Sequence, residues 1–336
     1  MSFRTVLSDP MLRMLVTAIA LAALLPATGD ARGVAQAVAN AAIFVLFLLN
    51  GMRIARGDIV AGVANWRFLL PLILWVFGAM AVIGLALSSL ASAWLAPSVA
   101  LGFLYLGVLP STVQSATSYS SLAGGNVALS VVAAALLNIL GVFVTVPVFL
   151  ALGGSGSGSG DVGMDAFVKI MLLLVLPFAI GQLLQSRTVA FTNRHKGKIV
   201  WVDRFVISAA IYVAFSGAVE QGIWTRVDAL DWLGIAGLVA TFLFVANIGA
   251  WLTGKALGLA RPDRISFLFA GAQKSAAVGA PLATILFPAD QAGFIVVALL
   301  LYHLFQLVVA APIASRLAAS SHLRDGGDCA APTTRS

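Results

Sequence analysis

Two stretches hold most of the residues in this chain that could do chemistry. One runs Leu109-Pro110-Ser111-Thr112-Val113-Gln114-Ser115-Ala116-Thr117 and on to Ser121; the other is Gly271-Ala272-Gln273-Lys274-Ser275 and on to Gly279-Ala280-Pro281. Each sets a proline, hydroxyls and a glutamine inside an otherwise apolar run, and the second adds an ammonium. Proline removes a backbone donor and clashes with the preceding turn, and glycine loosens a helix further. Freed backbone groups, with Ser111, Thr112, Gln114, Ser115, Thr117, Ser130, Gln273, Lys274 and Ser275, form the candidate set for binding a substrate or an ion. A buried ammonium is expensive and needs a counterpart. For Lys274 that is an anionic substrate, the carbonyl ends of broken helices, or an exchangeable proton. The plainer alternative is a pair of proline kinks with hydroxyls bonding back to carbonyls, and a lysine that snorkels to an interface.

Elsewhere the chain offers little catalytic chemistry. His195, His303 and His322 are far apart, and no paired carboxylates or nucleophile motif stand at helical spacing. An enzyme is not expected, and no ring of acidic or carbonyl filter residues suggests a channel. The single cysteine, Cys329, excludes a disulfide framework and a cysteine-ligated metal.

The elements that position these stretches follow from composition. Of 336 residues, 60% are hydrophobic and only 10% charged, and mean hydropathy is +1.01. A water-facing surface needs far more charge than that, so the solvent is a lipid bilayer. A span takes roughly 20 apolar residues. Polar, Gly and Pro punctuation yields ten segments: 11–27, 34–55, 67–89, 94–121, 126–152, 163–186, 200–221, 230–256, 264–288 and 291–317. The expected fold class is an all-α membrane protein. Residues 153–162 read as a Gly/Ser linker and 319–336 as a disordered tail.

The net charge of +7 is not a nucleic-acid footprint, because the cations form no aromatic-interleaved stripe. They fit a topology instead. With an inside N-terminus, only Arg32, Lys169 and Arg226 among the 20 Lys and Arg residues fall in outside segments, while Lys274 lies within a span. Basic residues favour the cytoplasmic side. Both termini are therefore expected in the cytoplasm. Arg4, Arg13 and the apolar run from Met14 to Leu25 resemble a signal peptide, but with so many apolar segments following they read as a first span. Trp66, Trp94, Trp201, Trp224 and Trp232 fall near predicted ends, as interfacial anchors do.

The halves echo each other. Asn40-Ala-Ala-Ile-Phe-Val-Leu-Phe47 matches Ser208-Ala-Ala-Ile-Tyr-Val-Ala-Phe215, and Gln114-Ser115-Ala116 matches Gln273-Lys274-Ser275-Ala276. Both offsets equal five spans. An odd offset inserts the halves with opposite orientation, giving inverted five-helix repeats at 1–152 and 163–318. Paired breaks in corresponding helices then point to a site near the midplane. Other polar residues have plainer roles. Asn50, Asn138 and Asn247 are expected to bond between helices. His303 reads as a packed imidazole, Asp203-Arg204 as a cap or local ion pair, and Glu220 as facing water.

Several motifs now resemble a known family. Asn65-Trp66-Arg67, Leu109-Pro-Ser-Thr112, Ala123-Gly-Gly-Asn-Val-Ala-Leu-Ser130, Asp203-Arg204 before Ile211-Tyr-Val-Ala-Phe-Ser216, and Gln273-Lys-Ser275 with Gly279-Ala-Pro281 occur in order. Together they resemble the bile acid:sodium symporter superfamily, specifically its SBF-like branch, over roughly residues 8–318. The resemblance implies a panel domain from helices 1, 2, 6 and 7. It implies a core domain from helices 3–5 and 8–10, with helices 4 and 9 broken and crossing. It further implies transport of a small organic anion by alternating access.

The sodium-site residues of that family are only partly matched. Phe269 stands where its sodium symporters carry a glutamate, Lys274 replaces an asparagine, Ala116 and Ala134 replace polar residues, and Ser130 is kept. No cofactor is expected, and sodium coupling is doubtful. Proton coupling through Lys274 and a fixed lysine charge are the two replacements. A regulatory or scaffold protein on the transporter fold is the alternative function.

Overall fold

The computed structural model describes residues 10–55, 57, 64–154 and 168–325, and among these every regular element is a helix. Most of the linker at 153–162 and the tail beyond 325 lie outside the described residues. Helix α1 is Pro10–Leu24 and α2 is Gly29–Arg53. Helix α3, Trp66–Ala91, contains Pro71 and widens to a π turn at Leu74–Ala79. The next span is split into α4, Pro97–Val108, and α5, Val113–Leu122, bent by 59°. Then come α6 (Val127–Ala151), α7 (Val168–Arg194), α8 (Lys196–Glu220) and α9 (Ala229–Ala256). A second split gives α10, Arg261–Ala272, and α11, Ala276–Leu286. The last helix, α12, is Ala289–Asp325, so helix continues past 319, where the sequence suggested a tail.

Each of the ten apolar segments therefore has a helical counterpart, and the two that split are the two with polar interruptions. Among the described residues, seven helices are long and apolar enough to cross a bilayer unaided, and the bent α4–α5 pair makes an eighth if it is one span. Helix α1 falls short at 15 residues. The α10–α11 pair opens on Arg261, Asp263 and Arg264, which dilute its apolar character. Leu24, Leu183, Leu230, Leu233 and Phe244 are at least two-thirds exposed. So many large apolar side chains on the outside are suited to lipid tails as surroundings.

Helix α2 packs chiefly on α7, and α1 on α8. Helices α3–α4, α9–α10, α4–α12 and α5–α6 also pair, and α8 packs as extensively on α11 and α12 as on α1 and α2. Small residues permit the close approaches. Gly51 lies against the Phe178 carbonyl and Gly181, and Gly84 against the Phe103 carbonyl and Gly107, so a Cβ at either would strike a neighbouring backbone. With no hydrophobic drive between helices in lipid, such packing is what holds spans together. Two ion pairs tie α2 to α8 at its two ends: Arg32–Glu220 at 2.6 Å and Arg53–Asp203 at 2.7 Å. Both correct the sequence reading. Glu220 does not simply face water, and Asp203 pairs across helices instead of locally. Asn247 also departs from expectation, donating to Leu243 in its own helix instead of a neighbour.

Candidate functional site

At the first break the cause is local. Proline disfavours helical geometry in the residue before it, and Leu109 is extended at φ −71°, ψ 148° ahead of Pro110. The chain stays extended through Thr112 and re-enters helix at Val113. The second break falls at Gln273–Ser275, with both ends extended. Pro281 is not its cause, since it sits inside α11. The Ser275 hydroxyl caps that helix by accepting from the Val278 N–H at 3.3 Å.

Backbone exposed by a break must find partners inside a bilayer. Here the two breaks supply one another. The Ser275 N–H donates to the Pro110 carbonyl at 2.9 Å. Lys274 Nζ donates to the carbonyls of Leu109 (2.7 Å), Gly107 (2.8 Å) and Val76 (3.2 Å), the last in the π turn of α3. Thr145 donates to Val108 at 3.0 Å, and Asn138 to Ser111 at 2.8 Å, bridging α6 to the break as expected of it. On the other side Trp75 Nε1 donates to the Gly271 carbonyl (3.2 Å) and the Tyr302 hydroxyl to that of Ala272 (2.6 Å). The Gln306 amide brackets the Lys274 peptide: its oxygen accepts from the Lys274 N–H (2.8 Å) and its nitrogen donates to the Lys274 carbonyl (3.1 Å). Gln306 also bonds the His303 ring at 3.0 Å.

Beside the breaks is a cavity of about 310 Å³. One wall is the start of α5 (Thr112, Val113, Gln114) and the start of α11 (Ser275, Ala276, Ala277). The facing wall, from α2 and α8, carries Asn50, Arg53, Asp203 and Arg204, while Leu46, Phe47, Ile139, Phe178 and Ile207 make apolar surface. Helix N-termini present N–H groups and the positive end of the dipole, so two of them on one cavity favour an anion. Arg53 is engaged by Asp203 and by the Asn50 carbonyl oxygen. Arg204 stacks over Trp201 at 5.0 Å, and its Nε is buried with no hydrogen-bond partner among the described residues.

Of the sequence candidates, Thr112, Gln114 and Ser275 line this cavity. Lys274 is fully buried behind the breaks and is not among the lining residues. Ser115 donates to the Gln273 side-chain oxygen and stands 3.1 Å from the Thr112 hydroxyl, which joins three candidates across the two breaks. Ser111, Thr117 and Ser130 hydroxyls and Gln273 Nε2 are buried and make no hydrogen bond among the described residues. Sequence reasoning missed Asn50, Arg53 and Arg204 as cavity residues. The available signal was a set of charges embedded near the ends of two apolar segments.

A multi-span helical membrane protein whose two broken helices meet beside a largely apolar cavity edged with charged and polar groups is the general form of a carrier. The profile of the SBF-like CPA transporter family matches residues 9–319. An uncharacterized protein of Pseudomonas aeruginosa is 36% identical over 312 residues, covering 93% of each chain. YfeH of Escherichia coli, named as a candidate symporter, is 36% identical over 315 residues, covering 92% of each. The mouse protein named sodium/bile acid cotransporter 7 is 25% identical over 316 residues, covering 88% of each. The chain belongs to the SBF-like CPA transporter family, within the bile acid:sodium symporter superfamily, and is an integral multi-pass membrane protein.

Proposed function

We propose that this protein is a secondary active transporter of an organic anion that works by alternating access. The observation that carries the reading is the meeting of two helix N-termini, α5 and α11, on one cavity whose opposite wall holds Arg53 and Arg204. Two dipole ends and the Arg204 charge outweigh the one carboxylate there, which Arg53 already neutralises. The mixed lining suits an amphipathic carboxylate: charge toward the N-termini and arginines, carbon skeleton against Phe47, Ile139 and Phe178.

The architecture belonging to this reading is ten spans in two inverted five-helix repeats, 1–152 and 163–318. Contact pairs support it. The α2–α7 pairing maps onto α8–α1 under an offset of five spans, α3–α4 maps onto α9–α10, and α5–α6 onto α11–α12. The moving parts are a panel of α1, α2, α7 and α8 and a core of the remaining helices. The ion pairs at the two ends of α2 and α8 hold the panel as a unit. Both termini lie in the cytoplasm of a bacterial inner membrane, which puts the wall formed by Arg53, Asp203 and Arg204 toward the cytoplasm.

Purified protein in liposomes, offered a panel of organic carboxylates, tests the function. Saturable uptake that falls at least tenfold in Arg204→Gln, with folding unchanged, is the expected result. If no anion is taken up and none raises the melting temperature, the scaffold alternative replaces this reading.

A further inference from the structure

We propose that the ammonium of Lys274 is a built-in cation, occupying permanently a carbonyl site that would otherwise need an inorganic cation, so that the carrier runs without sodium. The role in transport rests on the transporter reading above; the built-in cation itself does not.

The donor set is the first argument. Three backbone carbonyls, of Val76, Gly107 and Leu109, converge on Lys274 Nζ at 2.7–3.2 Å. Carbonyl oxygens that converge on one point are ligands for a hard cation. Two of them close the C-terminal end of α4, where the helix dipole adds negative potential. An ammonium with three donors satisfies three such acceptors at once.

The second argument is attachment. The Lys274 peptide is bracketed by Gln306 on both its N–H and its carbonyl, and Ser275 is joined to Pro110. The side chain therefore spans from the second break to the first and to α3, and it is fully buried. A cation tethered by four methylenes cannot leave its site, so no sodium-gradient energy enters through it. The third argument is charge. Among the described residues, Asp203 is the only acidic one lining the cavity, and Arg53 holds it. A sodium ion near the breaks would meet a fixed positive charge and no free carboxylate to offset it.

The experiment has a stability arm and a transport arm. Wild-type protein should melt at the same temperature in sodium chloride and in N-methylglucamine chloride. Lys274→Ala empties the carbonyl site; it should melt at least 5 °C lower and regain most of that loss on titration with methylammonium or sodium. In the transport arm, wild-type uptake should be unchanged when an imposed sodium gradient is removed. Stabilisation of the wild type by sodium overturns the proposal, as does a Lys274→Ala variant that ignores both cations. Uptake driven by a pH gradient and lost in Lys274→Arg also overturns it, because the lysine would then be a proton carrier. Should Lys274→Ala not fold, the wild-type sodium and pH arms still decide. Cation rescue without transport of any anion leaves the built-in cation standing and removes the transporter reading. Sodium-driven anion uptake does the reverse.

Discussion

The two ion pairs between α2 and α8 look alike on distance but differ in what surrounds them. Side chains of Arg53 and Asp203 are 28% and 15% exposed, against 24% and 36% for Arg32 and Glu220. An exposed carboxylate that loses its partner is rehydrated, so pairs of the second kind contribute about 0–1 kcal/mol. Removing Arg53 instead leaves a carboxylate lining a half-enclosed cavity. Arg53→Ala should destabilise the protein by about 1–3 kcal/mol, less than for a fully buried pair. Arg53→Met with Asp203→Leu should recover most of that, because both charges then leave together. Denaturant unfolding in detergent micelles, run as a double-mutant cycle, measures the coupling; additivity would mean the pair contributes nothing. Asn138 makes a different case. Its amide satisfies the Ser111 carbonyl in the first break, so Asn138→Leu should cost about 1–3 kcal/mol by orphaning a buried acceptor. A melting temperature within 1 °C of wild type would show that water replaces the amide.

At the scale of elements, what decides the site is how tightly the breaks are held. Gly141 on α6 faces the Pro110 ring, and a Cβ there would lie 2.5 Å from Pro110 Cγ. A proline ring has no rotamer into which to retreat, so α6 or the break itself must shift. Gly141→Ala is expected to destabilise by about 1–3 kcal/mol through overpacking and to slow uptake more than it weakens anion binding. The comparison of thermal melting with a binding isotherm checks this; unchanged melting would show that the break yields freely. Helix starts and stops of this kind were legible in the sequence. Pro110 with its hydroxyl-rich neighbours marked the first break, and the glutamine-lysine-serine run marked the second. At the breaks the sequence misattributed the role of Pro281, which sits within α11 because a single missing donor can be absorbed by neighbouring packing. Partners across the break were not legible. Arg53 and Asp203 are 150 positions apart, and Lys274 reaches carbonyls 165 and 167 positions away. Apolar periodicity locates spans but says nothing of which faces meet, and backbone carbonyls leave no trace in residue identity. Lys274 was thus visible as an anomaly while its three acceptors were not.

For the whole molecule, the arrangement to be tested is two bodies moving about one cavity in a fixed orientation. Helix α8 contacts α11 and α12 as well as α1, α2 and α7, so under the proposed two-body motion it would be the seam. Gly293 on α12 lies against the Ala214 carbonyl there, leaving no side chain to interlock. Orientation and motion are both readable with single cysteines in a Cys329→Ser background. Trp224, in the short helix Ile223–Arg226, and Leu257, just past the end of α9, are exposed residues at opposite ends of α9. A membrane-impermeant maleimide on intact cells should label Trp224→Cys and should reach Leu257→Cys only after permeabilisation. The opposite pattern would invert the topology drawn from the basic residues. Val131 on α6 lines the cavity, so Val131→Cys should label from the same side as Leu257→Cys in the state described here. Saturating transported anion should change that labelling rate severalfold, because the cavity is filled or turned toward the other side. Labelling that is equal from both sides and indifferent to every anion would describe an open pore or an inert scaffold, neither of which needs paired breaks that close on each other.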